Sequence, residues 1–130
     1  MIVADASVVL DVLLRTDDAP RAESRLFAPL ESLHAPHLLD VEVAQVLRRY
    51  VARGELLPAR ARAALELLVR LPITRYPHTP LLDRIWALRA NLTAYDAAYV
   101  ALAEGLGATL VTRDERLAAA PGHRARVELL

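Results

Sequence analysis

Cysteine is absent from this sequence of 130 residues, which removes disulfides, thiolate zinc sites and cysteine nucleophiles together. Lysine is absent as well: all 16 basic residues are arginine, so phosphate-loop and Schiff-base chemistry are excluded. The 16 arginines face 16 acids, for a net charge of zero. A nucleic-acid partner would therefore need a local arginine patch or a metal, because no global positive field exists. No apolar run approaches the roughly 18 residues of a membrane span. The N-terminus lacks a basic region ahead of an apolar core, and Asp5 and Asp11 interrupt it. Neither a signal peptide nor a membrane span is expected, which leaves the cytoplasm as the default location.

The length suits one domain with a real core, and the chain alternates strand and helix. Met1 to Ala4 is a short apolar strand ending in Asp5, followed by a helix from Ser7 to Leu14 with Val8, Val9, Val12 and Leu13 as its stripe. Asp17, Asp18 and Pro20 mark a turn before a short helix from Arg21 to Ala28. Leu33 to Ala35 is a second strand, and Pro36 leads into a helix from Leu38 to Arg53 that Gly54 stops. Pro58 opens the next helix, whose buried face is Ala61, Ala64, Leu65 and Leu68. Ile73 to Tyr76 is expected as strand, Leu81 to Ala90 as helix and Val127 to Leu129 as a last edge strand. No repeat, low-complexity tract or linker is present. The alternation predicts an α/β layer sandwich.

The most informative stretch runs from Thr93 to Leu117. Thr93 and Asp96 have capping-box spacing, placing Thr93 at an N-cap and Asp96 in the first turn. Ala94 to Glu104 are good helix formers, and Gly105 and Gly107 are expected to end the helix. Thr109 to Thr112 is a short β-branched apolar run, a buried strand. Asp114 falls where the N-cap of a helix starting at Glu115 belongs. In a helix–strand unit of a parallel sheet, the helix start lies at the same edge as the strand end. Asp96 and Asp114 should thus be neighbours, although 18 positions (96 to 114) separate them. Open α/β sheets bind ligands at this carboxyl edge.

Two further acids belong there. Asp5 ends the first strand. Glu42 lies in the second turn of the helix after the second strand, at the margin of a core stripe of Leu39, Val43, Val46, Leu47 and Tyr50. Singly, each acid has an ordinary structural explanation: Asp5 and Asp114 as N-caps, Asp96 as a capping-box carboxylate, Glu42 as a solvated helix residue. Together they do not. Two carboxylates 4 Å apart repel by about 4 kcal/mol at an effective dielectric of 20, whereas helix dipoles return only about 0.3–1 kcal/mol each. A cluster of Asp5, Glu42, Asp96 and Asp114 therefore calls for a divalent cation. Hard oxygen ligands without histidine or cysteine suit Mg2+ or Mn2+.

DAS at 5–7, PHLLDVEV around Glu42, TAYDAAYVALAE at 93–104 and LVTRDERL at 110–117 together resemble the PIN-domain nucleases, and among them the VapC toxins of type II toxin–antitoxin pairs. The resemblance spans nearly the whole chain; from Ala52 to Ala90 only the helical pattern matches. It implies a PIN-like three-layer α/β/α sandwich with a mainly parallel central sheet. It also implies Mg2+- or Mn2+-dependent endoribonuclease activity leaving 5′-phosphate and 3′-hydroxyl ends. Asp5, Glu42, Asp96 and Asp114 match the family's catalytic, metal-binding acids, with Asp5 and Asp96 as direct ligands, Asp114 direct or through water, and Glu42 holding a water or a second ion. Ser7 and Thr112 match the polar positions that support those acids. The implied partners are an RNA substrate, a cognate VapB-like antitoxin and a second copy of the chain as a homodimer.

Arg113 and Arg116 flank Asp114 and are candidates for holding the RNA backbone, beside the ordinary reading of solvated arginines. His34 and His37 have HxxH spacing, but on a strand-to-helix join without a third ligand, which argues against zinc. Trp86 with Ile85 and Leu88 is read as core or interface, and Asp11 and Asp40 as solvated or dipole-facing. Two other functional classes compete with the ribonuclease. A phosphoacceptor receiver domain also gathers acids at a sheet edge, but needs a paired acid after strand one and a lysine, both absent. A non-catalytic partner-binding module would not need the complete acid set. The apolar content of 55% and mean hydropathy of +0.25, with apolar stripes on the short helix carrying Leu26 and Phe27 and on the helix from Pro58, point to surfaces covered by partners.

Overall fold

The first strand of the chain is the middle strand of its sheet. In the computed structural model, which describes residues 1–130, five strands form one sheet: β1 (Ile2–Ala4), β2 (Leu33–Pro36), β3 (Ile73–Tyr76), β4 (Thr109–Thr112) and β5 (Arg126–Leu129). Their order is β3-β2-β1-β4-β5 and every pairing is parallel. Parallel strands are covered on both faces, and β1 accordingly has no exposed side chain. Its alternation divides the core. Ile2 and Ala4 join Val111 on one face, while Val3 joins Leu110 on the other, as strand pleating requires.

Helices α1 (Ala6–Leu14), α2 (Ala19–Leu26), α3 (Leu38–Ala52) and α4 (Pro58–Arg70) bury their apolar stripes in the first core, through Val8, Val9, Leu39, Val43, Ala64 and Leu68 among others. Helices α5 (Leu82–Ala87), α6 (Ala94–Leu106) and α7 (Glu115–Ala119) cover the opposite face, where Tyr99, Val100 and Leu117 pack. The result is the expected three-layer sandwich, with a sheet that is wholly parallel. No helix is long and apolar enough to cross a membrane.

Several boundaries differ from the sequence reading for local reasons. Helix α1 begins at Ala6 because Asp5, in extended conformation, is its N-cap. Helix α2 begins two residues early, since Pro20 tolerates a first-turn position without a backbone donor. The expected helix from Leu81 to Ala90 is a 3₁₀ turn over Thr79–Leu81 followed by only α5. Gly105 lies inside α6, and Gly107 alone ends that helix, at φ 62 in the left-handed region.

The strand order reverses between β1 and β4: the chain builds outward through β2 and β3, then returns to the other side of β1. That reversal opens a crevice at the carboxyl edge, beside Asp5 and Asp114.

Candidate metal centre and active site

At the end of β1, Asp5 is nearly buried. Its backbone occupies the N-cap of α1, yet its side chain makes no capping bond. Instead Oδ2 accepts the hydroxyls of Ser7 at 2.6 Å and Thr112 at 2.7 Å. Those hydroxyls are themselves fixed: Ser7 accepts the Arg113 backbone N–H at 3.0 Å, and Thr112 accepts that of Asp114 at 3.0 Å. Two helix-start loops thus hold one carboxylate, and its other oxygen is not used by these bonds. The N-cap explanation for Asp5 is thereby replaced by an oriented carboxylate.

Asp114 does cap. Its Oδ1 accepts from the N–H groups of Arg116 at 2.8 Å and Leu117 at 3.3 Å. For α6 the cap is Thr93, whose hydroxyl oxygen accepts the Asp96 N–H at 3.1 Å. The Asp96 carboxylate is therefore not needed to close the helix start, and it faces the other acids. Burial, then Asp5 and Asp114, hold its pKa above the usual aspartate range, with Thr93 and Arg116 partly offsetting them. Glu42 reaches the same place from α3. Its Oε1 is buried and forms no bond of good geometry; the buried Tyr99 hydroxyl is the one group close enough to donate to the carboxyl, and it draws the pKa down. Burial first, then the charges of Asp5 and Asp96, raise the Glu42 pKa to about 7.

The four carboxylates, with Ser7, line one cleft of about 420 Å³ between α1 and α3. No three of them are drawn to a single point, as expected of like charges that repel. An unsatisfied buried carboxylate oxygen, carboxyl groups pushed towards protonation and a donor set of hard oxygens are the features a divalent cation would relieve. The residues present fit such an ion.

The other candidates fall elsewhere. Arg113 is not free: Nη1 donates to both Asp11 oxygens at 3.0 Å and pairs with Asp18 at 2.8 Å. Asp11 is consequently buried and paired, where solvation had been expected, and it also accepts the Thr16 hydroxyl at 2.6 Å. Asp40 is held by Arg75 in a bidentate pair. Arg116 is 94% exposed, with Nε 3.7 Å from Asp114. His34 sits between Ser32 and Tyr76, both in hydrogen-bonding contact; burial lowers its pKa, and it shares no metal-binding cluster with His37. Trp86 is 68% exposed, which excludes it from the core. Arg49, Val46 and Tyr50 on α3 line the cleft. Arg49 was missed by the sequence reading, although its place two turns beyond Glu42 on one helical face was visible there.

The PIN domain family model matches residues 2–122. The chain is a PIN domain. Ribonuclease VapC9 of Mycobacterium tuberculosis is 51% identical to this PIN domain over 117 residues, 90% of the present chain and 88% of the relative. Among solved structures, PAE2754 from Pyrobaculum aerophilum superposes with a TM-score of 0.74 at 24% identity, covering 97% of this chain and 81% of that one. A toxin–antitoxin complex from Klebsiella pneumoniae gives 0.65 at 22% identity, over 92% and 91% of the two chains. At those identities the likeness is one of fold.

Proposed function

We propose that this PIN domain is a divalent-cation-dependent endoribonuclease and the toxin of a type II toxin–antitoxin pair. The observation that carries the reading is the gathering of Asp5, Glu42, Asp96 and Asp114 in one open cleft, with the Glu42 carboxyl half-buried against the charges of Asp5 and Asp96. Extended identity to a ribonuclease supports the reaction class.

Asp5, Asp96 and Asp114 would hold the ion, Mg2+ or Mn2+. When bound, the cation supplies acidification of a water molecule and neutralisation of the phosphodiester charge. The protein's own contribution is orientation. Ser7 and Thr112 fix one oxygen of Asp5 and leave the other to the cleft. Thr93 relieves Asp96 of capping duty. Glu42 lines the same cleft from α3, and its carboxylate would hold or receive a proton there. Arg116, exposed beside Asp114, is placed to meet RNA phosphate.

The test is cleavage of total RNA by purified protein. Activity should appear with Mg2+ or Mn2+ and disappear in excess chelator. Undiminished cleavage in chelator by protein free of contaminating nuclease would sink the proposal.

A further inference from the structure

The cleft has an acidic floor, and its walls carry two arginines, Arg49 and Arg113. Arg113 is neutralised by Asp11 and Asp18. Arg49 forms no ion pair or side-chain hydrogen bond, so it is the cleft's one uncommitted cation. Its position is set by α3. Residues 42, 46 and 49 follow helical spacing, which puts Glu42, Val46 and Arg49 on one face. Seven residues at 1.5 Å each put Arg49 about 10 Å along the axis from Glu42. That separation is about a Debye length at physiological salt, so Glu42 does little to cancel the charge of Arg49, and no acid forms an ion pair with it. Leu10, Leu14 and Val46 line the same channel beside Thr16 and Tyr50, and none of the channel's polar side chains bonds the guanidinium.

An extended polyanion fits this arrangement. A single RNA strand whose scissile phosphate lies over Asp5 and Asp96 must continue along the channel in one direction or the other. On the α3 side its neighbouring phosphates meet Arg49. Guanidinium groups bind phosphate through paired N–H donors, and such contacts position a strand without reading its bases. We propose that Arg49 is a substrate-positioning residue of this cleft, holding the backbone of single-stranded RNA at a phosphate flanking the one cleaved. The proposal rests on the ribonuclease reading above and adds the direction in which the strand runs: along α3, from Glu42 towards its C-terminal turn.

The experiment uses the full chain in an Asp96→Asn background to prevent turnover. It follows binding of a short fluorescein-labelled single-stranded RNA of mixed sequence by anisotropy, across a salt series. Arg49→Gln should weaken binding roughly five- to ten-fold and reduce the log–log salt slope by about 0.7, the loss of one phosphate contact on a single strand. Arg49→Lys should retain most of the slope. Arg48→Gln, on the same helix but outside the cleft lining, should change neither quantity. In the active background, Arg49→Gln should raise KM while leaving kcat nearly unchanged.

Equal affinity and slope for Arg49→Gln and its parent would overturn the proposal, leaving Arg49 as a solvated cation at a helix end. Loss of binding to a protein partner with RNA binding intact would overturn it also. A wild-type protein that binds the RNA but does not cleave it with Mg2+ would instead refute the nuclease reading, while the Arg49 comparison would still be read from binding alone.

Discussion

Replacing Glu42 by glutamine keeps the side chain's shape and removes a charge that burial, Asp5 and Asp96 all disfavour. Its folded pKa of about 7 lies above the ordinary glutamate value of 4.5, so the native chain holds a proton that the unfolded chain releases. The stability this represents is complete below the unfolded value and is lost as pH rises through about 7. The metal-free protein should therefore melt at lower temperature as pH climbs through that window. Glu42→Gln should flatten the decline and add on the order of 1–3 kcal/mol at alkaline pH, with activity reduced. Calorimetry across the window checks it; a wild-type melting curve indifferent to pH there would refute it. Asp96→Asn separates site from scaffold differently. Because Thr93 supplies the cap bond, the variant should keep its melting transition and lose activity on the order of 10²–10³-fold. A collapsed transition would show that Asp96 is structural. Asp5, Asp96 and Asp114 were legible because each follows a strand end or opens a helix, and Glu42 because it lies at the margin of the α3 core stripe, all of which local spacing reports. Arg113 was not, since its partners Asp11 and Asp18 lie about a hundred positions away and leave no local pattern.

Among the elements, the Arg113 guanidinium ties the end of β4 to α1 and to the turn before α2. Removing it leaves Asp11 buried with only the Thr16 hydroxyl. Arg113→Ala should cost about 2 kcal/mol after discounting for the partial exposure of the arginine, measurable by chemical denaturation; no loss would mean that water satisfies Asp11. A second tie joins α5 to α6, where Arg84 forms paired bonds to Glu104. Arg84 holds the Glu104 pKa down to about 2. The stabilisation it gives is present above the ordinary glutamate range and is lost as pH falls towards 2. Arg84→Gln should lower stability at neutral pH and shift acid unfolding to higher pH; an identical acid limb in both proteins would refute this. Strand and helix identities were visible from periodicity and punctuation, and even β3 was placed correctly. The region around α5 was not. A 3₁₀ turn and a short helix carry the same apolar letters as one longer helix, and only packing against α6 distinguishes them. Gly105 misled for a related reason: glycine permits a helix end but does not compel one, and the chain ends α6 where Gly107 can take positive φ.

At the scale of the molecule, apolar side chains remain outside both cores. Val41, Leu82, Trp86 and Tyr95 are more than half exposed, as are Leu57 and Val69 on the α4 side. Apolar exposure of this kind marks partner surfaces; a second copy of the chain and an antitoxin are the occupants we propose. Light scattering at micromolar concentration should give twice the chain mass; a stable monomer would count against the dimer. Co-purified product of the adjacent gene should suppress RNA cleavage, and unaltered activity with that product in excess would exclude it as the antitoxin. The layered architecture could be read from the alternation of elements, and an apolar surface on the helix from Pro58 was expected from its stripe. Leu26, expected at a partner surface, is buried instead. The exposure of Val41, Leu82 and Tyr95 could not be read, because exposure is a property of the assembled fold. The central position of β1 has a further consequence for how such a protein is made. Asp5 is made well before Thr112, which orients it across a sequence separation of 107, and before Asp114, and β1 lacks its β4 neighbour until those residues follow. Until β4 has emerged, the growing domain therefore carries an incomplete site. A PIN domain built in this order completes its acid cluster only with the residues that follow β4.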